Sequence, residues 1–132
     1  MDPAEAAGRW ADVWQRAWEA EDTEAIVALY HEDVVFSTQP FRVPYLRRSG
    51  VRDYVSQSFS EEDRPQVWVG TPVVGDGRAA IEWWAAVTEN GIEITLAGTS
   101  VLRFDADGLV VEQRDTWNQA EGRRQPPGGW GR

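Results

Sequence analysis

Cysteine and lysine are both missing from this chain, and histidine occurs once, at His31. Without cysteine there is no disulfide framework, no thiolate nucleophile and no thiolate metal site. Without lysine there is no Schiff base and no phosphate-loop lysine; all 13 basic residues are arginine. One histidine excludes a histidine-rich metal centre, and no metal or cofactor is expected. The acidic triplet Glu61-Glu62-Asp63 lacks the spacing of a calcium loop and reads as solvated surface. Walker, G-x-S-x-G and dinucleotide glycine motifs are all missing. Positive charge is scarce as well: the formal net charge of −9 repels nucleic-acid phosphates and anionic membrane surfaces, so neither is an expected partner. No apolar run approaches the ~20 residues that span a bilayer, and MDPAEAAGRW lacks the basic start and apolar core of a signal peptide. The expectation is a cytoplasmic, single-domain protein.

Tryptophan, in contrast, is abundant, with eight in 132 residues. Such a load points to a thick aromatic core or to an aromatic-lined cavity. Pro3 to Glu19 carries Trp10, Val13, Trp14, Ala17 and Trp18 at spacings of three and four, the stripe of an amphipathic helix. A second helix is expected after a cap at Asp22 or Thr23, burying Ile26, Leu29 and Tyr30 and ending near His31. A first strand lies within Asp33 to Gln39, with Val34, Phe36 and Thr38 on one face. PFRVPYLRRSG reads as a loop, and Ser49 to Phe59 as a third helix with Val51, Tyr54, Val55 and Phe59 on one side. SEEDRP reads as a polar break.

The rest is a meander. Asp76-Gly77, Asn90-Gly91 and Asp107-Gly108 are strong hairpin signals, because such turns need positive φ. They divide Gln66–Val74, Arg78–Glu89, Ile92–Phe104 and a final strand over Leu109–Asn118. Ala79, Ile81, Trp83, Ala85 and Val87 share an apolar face; Trp84 on the opposite face hints at a contact with a second copy. The domain is expected over 1–122. The tail 123–132 reads as irregular, with Trp130 either tucked back onto the body or disordered.

The final strand, LVVEQRDTWN, places Leu109, Val111, Gln113, Asp115 and Trp117 on its inward face. A carboxylate there is costly unless hydrogen-bonded or protonated. Asp115 is therefore the candidate acid/base residue. Trp14, Tyr30, Phe36, Thr38, Tyr54, Trp83, Gln113 and Trp117 are the candidates for binding a small hydrophobic ligand. If the acid is structural, its expected partner is a Trp N–H or an arginine from the loop, Arg42, Arg47 or Arg48.

The passages AIVALYHEDVVF, GVRDYV and VLRFDADGLVVEQRDTWN resemble the nuclear transport factor 2-like superfamily, in its SnoaL-like branch, over Trp10 to about Gly122. The resemblance implies an α+β cone in which three N-terminal helices pack on a curved, mostly antiparallel sheet around an apolar pocket. It also implies a homodimer formed through the sheet face. Members act on small hydrophobic molecules or only bind them, so the fold leaves activity open. The ending EQRDTWN is similar to that of the limonene-epoxide hydrolases, and the match to their water-positioning aspartate falls on Asp115. Their tyrosine and asparagine positions hold Phe36 and Thr38 here, and their arginine and base positions hold Trp83 and Ala85. Epoxide hydrolysis by that mechanism is thereby rejected. The ketosteroid-isomerase pattern lacks its second carboxylate, and the scytalone-dehydratase pattern lacks its histidine pair. A lyase, isomerase or cyclase with one acid/base aspartate remains, beside a non-catalytic ligand-binding or dimerisation domain.

Overall fold

The computed structural model describes all residues, Met1–Arg132. Helix α1 runs Pro3–Ala20: Asp2 caps it by accepting from the Glu5 amide at 2.9 Å, Pro3 occupies its first turn, and Glu21 closes it in the left-handed region. Its inner face buries Ala6, Ala7, Trp10, Ala17 and Trp18. Asp22 caps the short α2, Thr23–Val27. Strand β1 spans Tyr30–Ser37, β2 Tyr45–Leu46, and α3 Arg47–Glu61. The meander follows as β3 Glu62–Val69, β4 Val73–Gly75, β5 Arg78–Glu89, β6 Ile92–Phe104 and β7 Val110–Glu121.

These strands form one curved sheet in the order β2-β1-β7-β6-β5-β3, with β4 also on β5. All pairs are antiparallel except β1 with β7, which run parallel. The α+β architecture expected from the sequence is therefore the observed one, and the three helices pack on the sheet around a core that includes Tyr30, Phe36, Val51, Val55, Ile81 and Leu102. The three hairpin turns sit where the sequence places them. Asp76, Gly77, Asn90, Gly91 and Gly108 all have positive φ, which is the reason such pairs mark turns.

Four local expectations are corrected. The second helix ends at Val27 rather than near His31, because Leu29 already gives its carbonyl to the Val110 amide at 2.9 Å and Tyr30 starts β1 beside β7. The stretch read as a polar break is strand: β3 begins at Glu62, and a bulge between Asp63 and Gln66 absorbs Pro65 on this edge strand. The single strand expected over Gln66–Val74 is two, interrupted at Gly70–Pro72. In β7 the inward face does not start at Leu109 and Val111. The register shifts between Arg103 and Phe104, Val111 is the extra residue, and Val110 turns inward, only 1% exposed.

The tail 123–132 has no helix or strand but is tied down. Arg123 donates to the Arg64 carbonyl at 2.5 Å, the Thr71 amide donates to Gly131 at 2.6 Å, and the Trp130 ring meets Trp84 edge-on at 6.4 Å. The outer-face tryptophan thus finds a partner within its own chain.

Gly98 lies directly opposite Trp117 in the β6–β7 ladder. A Cβ there would stand 2.6 Å from the Trp117 Cβ and closer still to the Thr116 carbonyl. The bare backbone at Gly98 is what lets β7 carry a tryptophan on its inner face. Gly98→Ala is expected to cost about 1–3 kcal/mol by overpacking, read by urea denaturation. A cost within a few tenths of zero would mean that β7 gives way freely.

Candidate functional site

The inner faces of β3, β5, β6 and β7, with α1 and α3 laid across them, enclose a cavity of about 80 Å³. Its aromatic wall is Trp10, Trp14 and Trp18 from α1, Tyr54 from α3, Trp83 from β5 and Trp117 from β7. Val67, Val69, Ala85 and Leu96 complete the apolar part. The three helix tryptophans lie on successive turns, with Trp14 stacked on Trp18 at 4.9 Å and Trp10 tilted against Trp14 at 5.4 Å. The four-residue spacing that produced the sequence stripe produces this ladder. The polar part is Ser100, Gln113 and Asp115.

Those polar groups belong to one buried network. The Tyr30 hydroxyl accepts from the Trp14 indole at 3.0 Å and from the Trp10 indole at 3.3 Å, and donates to Gln113 Oε1 at 2.5 Å. The Gln113 amide then donates through Nε2 to Asp115 Oδ1 at 3.0 Å. On the other side the Trp83 indole donates to Ser100 Oγ at 3.0 Å, and that hydroxyl donates to the same Oδ1 at 2.6 Å. An indole N–H can only donate. The two indoles on the Tyr30 hydroxyl leave it only to donate, so that branch points towards Asp115; the Ser100 branch points the same way when the acid is ionised, because a carboxylate only accepts.

Two consequences follow for the carboxyl group. In the carboxylate form Oδ1 receives both donors, Ser100 and Gln113. Oδ2 receives none from the protein and is not among the sealed, unpartnered buried atoms, so it opens onto the cavity. Burial pushes the acid up from its ordinary value to about 7, against the opposing pull of the Ser100 and Gln113 donors. The Gln113 N–H held against Oδ1 makes Oδ2 the favoured site for the proton of the neutral acid. Burial also raises Tyr30 and Tyr54 well above the ordinary phenol range, so both stay protonated near neutral pH.

Of the residues singled out from sequence, Asp115, Trp14, Tyr54, Trp83, Gln113 and Trp117 meet around this cavity. Tyr30 stands one hydrogen bond behind it, on a strand rather than a helix. Phe36 is fully buried between Tyr30 and Tyr54, in the core behind the wall. Thr38 also lies outside the wall; its carbonyl, not its side chain, accepts from the Trp117 indole at 2.9 Å. No arginine reaches Asp115: Arg48 instead donates to the Tyr30 carbonyl at 2.6 Å. His31 accepts from the Asp33 amide at 3.0 Å through Nδ1, away from the cavity. Ser100, Trp10 and Trp18 join the site beyond those singled out. For Ser100 the signal was a polar residue on the apolar face shared by Leu96 and Leu102, directly across the hairpin from Asp115.

The profile of a family described as SnoaL-like domain matches residues 10–113. Among solved structures, the chain is similar to SalBIII, an epoxide hydrolase/cyclase-like enzyme described for pyran ring formation in the polyether salinomycin. That likeness has a TM-score of 0.78 and 16% identity, over 89% of this chain and 95% of that one. A Mycobacterium tuberculosis protein aligns with a TM-score of 0.77 and 19% identity, over 92% of this chain and 98% of that one. A Catenulispora acidiphila protein with a ketosteroid isomerase-like fold, determined in complex with trimethylamine, aligns with a TM-score of 0.72 and 13% identity, over 80% and 82%. At these identities the likeness shows the fold. No curated protein matches the sequence.

Proposed function

Because the chain belongs to the SnoaL-like domain family, whose members bind small molecules, we propose that it is a small-molecule lyase, isomerase or cyclase with Asp115 as its one acid/base group. The observation that carries this reading is the free Oδ2. A structural acid would have both oxygens satisfied, whereas here two donors converge on Oδ1 and the other oxygen is left facing an apolar cavity.

The chemistry follows from the arrangement. A general acid or base works best when its pKa lies near the working pH, and burial sets Asp115 at about 7. As a carboxylate, Oδ2 takes a proton from a substrate carbon or hydroxyl; as a neutral acid, the same atom returns it. Ser100 and Gln113 hold the group in place through Oδ1 and stay bound in both states. The proton therefore moves on and off without rearranging the network. The aromatic wall excludes water and orients the substrate by burial and stacking.

Size limits the substrate. About 80 Å³ is roughly half of a ~150 Å³ cavity known to hold benzene. A ligand of a few heavy atoms fits the site as it stands, and a larger ring system needs the aromatic wall to part.

The test is turnover of a panel of small apolar enols, epoxides and β-hydroxy ketones by the wild type and by Asp115→Asn. Loss of the acid/base group is expected to lower the rate by about 10²–10⁴, while binding of these neutral ligands persists. Equal turnover by the two proteins would remove Asp115 from the chemistry. Full binding with no turnover by either would favour the reading as a non-catalytic binding domain.

A further inference from the structure

Around the cavity there is a carboxylate and no positive group. None of the side chains that line it is an arginine or the histidine. The basic side chains that come near the site's framework are committed elsewhere: Arg9 donates to the Gly108 carbonyl at 2.8 Å, and Arg48 to that of Tyr30. Asp115 takes part in no salt bridge. The donors that do reach it are neutral and both bind Oδ1.

The remainder of the wall is what a cation without a large hydration shell prefers. Five of its six aromatic rings are tryptophan, the ring with the strongest attraction for a cation. Rings on several sides with one acid among them make the arrangement that captures alkylated ammonium groups. Methyl groups fill the aromatic space, and the positive charge, spread over them, meets both the ring faces and the acid. A hydrated metal ion is a poor match, since only one oxygen is free to replace its water. An inorganic or carboxylate anion is a worse one, since it would sit against Oδ2. The chain's net charge of −9 adds a field that draws cations towards it.

We infer that this site takes a small alkylammonium cation, with its charge against Asp115 Oδ2 and its alkyl groups among the tryptophan rings. The inference rests on the reading of Oδ2 as the atom that faces the ligand, and it names the substrate class for that reading. The cavity's volume, about 80 Å³, sets the size at about that of a four- or five-heavy-atom cation.

The experiment compares tetramethylammonium with tert-butanol, which has nearly the same shape and no charge. Each is titrated into the wild type and into Asp115→Asn at pH 8 and matched ionic strength, with binding followed by tryptophan fluorescence. Wild type is expected to bind tetramethylammonium at least tenfold more tightly than tert-butanol, and Asp115→Asn to lose that preference. Equal affinities in the wild type, an undiminished preference in the variant, or no binding of either compound would overturn the inference. The acid/base reading is judged apart from this, by the pH titration of the Asp115 carboxyl carbon in ligand-free protein. A midpoint near 4 would remove a neutral acid from the mechanism and leave the cation preference to be decided by the fluorescence.

Discussion

Asp115→Asn is expected to equal the wild type in stability below about pH 4 and to exceed it by roughly 4 kcal/mol above pH 8. Burial raises Asp115 in the folded protein from 3.8 to about 7, so the folded state holds this proton more tightly than the unfolded chain does. The carboxyl's contribution to stability is therefore complete below the unfolded value and is lost as pH rises through about 7. Above that point the fold carries an ionised group in an apolar cavity. Asparagine reproduces the neutral acid: its carbonyl takes the place of Oδ1, where Ser100 and Gln113 donate, and its amide takes the place of Oδ2. The variant cannot ionise, so its stability lacks this fall.

Glu62 shifts in the same direction, to about 7, through burial and then through Glu89, its cross-strand neighbour. That fall is common to both proteins and cancels in their difference. Urea denaturation of the pair from pH 4 to 9, subtracted point by point, reads Asp115 alone. A difference that does not change with pH would mean that the carboxyl ionises as an ordinary aspartate does. The expected gain in stability is the counterpart of the expected loss in turnover: the charge the chemistry needs is the charge the fold resists.

Tyr30→Phe is expected to cost roughly 3 kcal/mol or more, a large share of the about 5–15 kcal/mol that holds a domain of this kind. One oxygen is removed, but three partners lose their hydrogen bond: the Trp10 and Trp14 indoles and Gln113 Oε1. Tyr30 is fully buried, so water does not replace it without opening the core. Each stranded polar group costs about 1–3 kcal/mol; the 3.3 Å contact from Trp10 belongs at the low end. The variant should also disturb the acid. The Tyr30 hydroxyl is what fixes the Gln113 amide with its N–H towards Asp115, and a freed amide can present its oxygen there instead. An acceptor in place of a donor favours the protonated acid, so the Asp115 midpoint should move above that of the wild type. Urea denaturation and the carboxyl titration measure the two effects. A cost under 1 kcal/mol, with the midpoint unmoved, would show that the relay holds neither the fold nor the acid.

Much of this site is legible in the sequence, and what is hidden has local causes. Asp115 and Trp117 follow from alternation along β7, and Trp14 from a four-residue stripe. Tight turns at Asn90-Gly91 and Asp107-Gly108 give β5 and β6 their limits, because positive φ leaves little choice of residue. Alternation fails at Val110, where a bulge inserts one residue and reverses the faces. It gives no warning that β3 begins as early as Glu62, because the charged residues and Pro65 before Gln66 are those of an edge strand. Tyr30 is read as helical because its apolar neighbours continue the helical period. What ends the helix is a parallel ladder with β7, and no nearby residue announces a partner so far along the chain. Phe36 and Thr38 are both buried, as Val34 is, but neither lines the cavity: Phe36 packs between Tyr30 and Tyr54, and Thr38 meets the Trp117 indole through its carbonyl.

The Tyr30–Gln113 hydrogen bond joins residues 83 positions apart, and this separation governs when the site can exist. On a chain still being synthesised, Trp10, Trp14 and Tyr30 are made long before their acceptor, while β5 and β6 can pair across a tight turn as soon as both have emerged. Bringing the two ends of so long a loop together costs about 4 kcal/mol of chain entropy beyond a constant, and the single bond at its end cannot offset that. The aromatic core and the parallel β1–β7 ladder have to close the loop first. Burial is what raises the Asp115 pKa, so the shift exists only once the helices have closed over the inner face of the sheet.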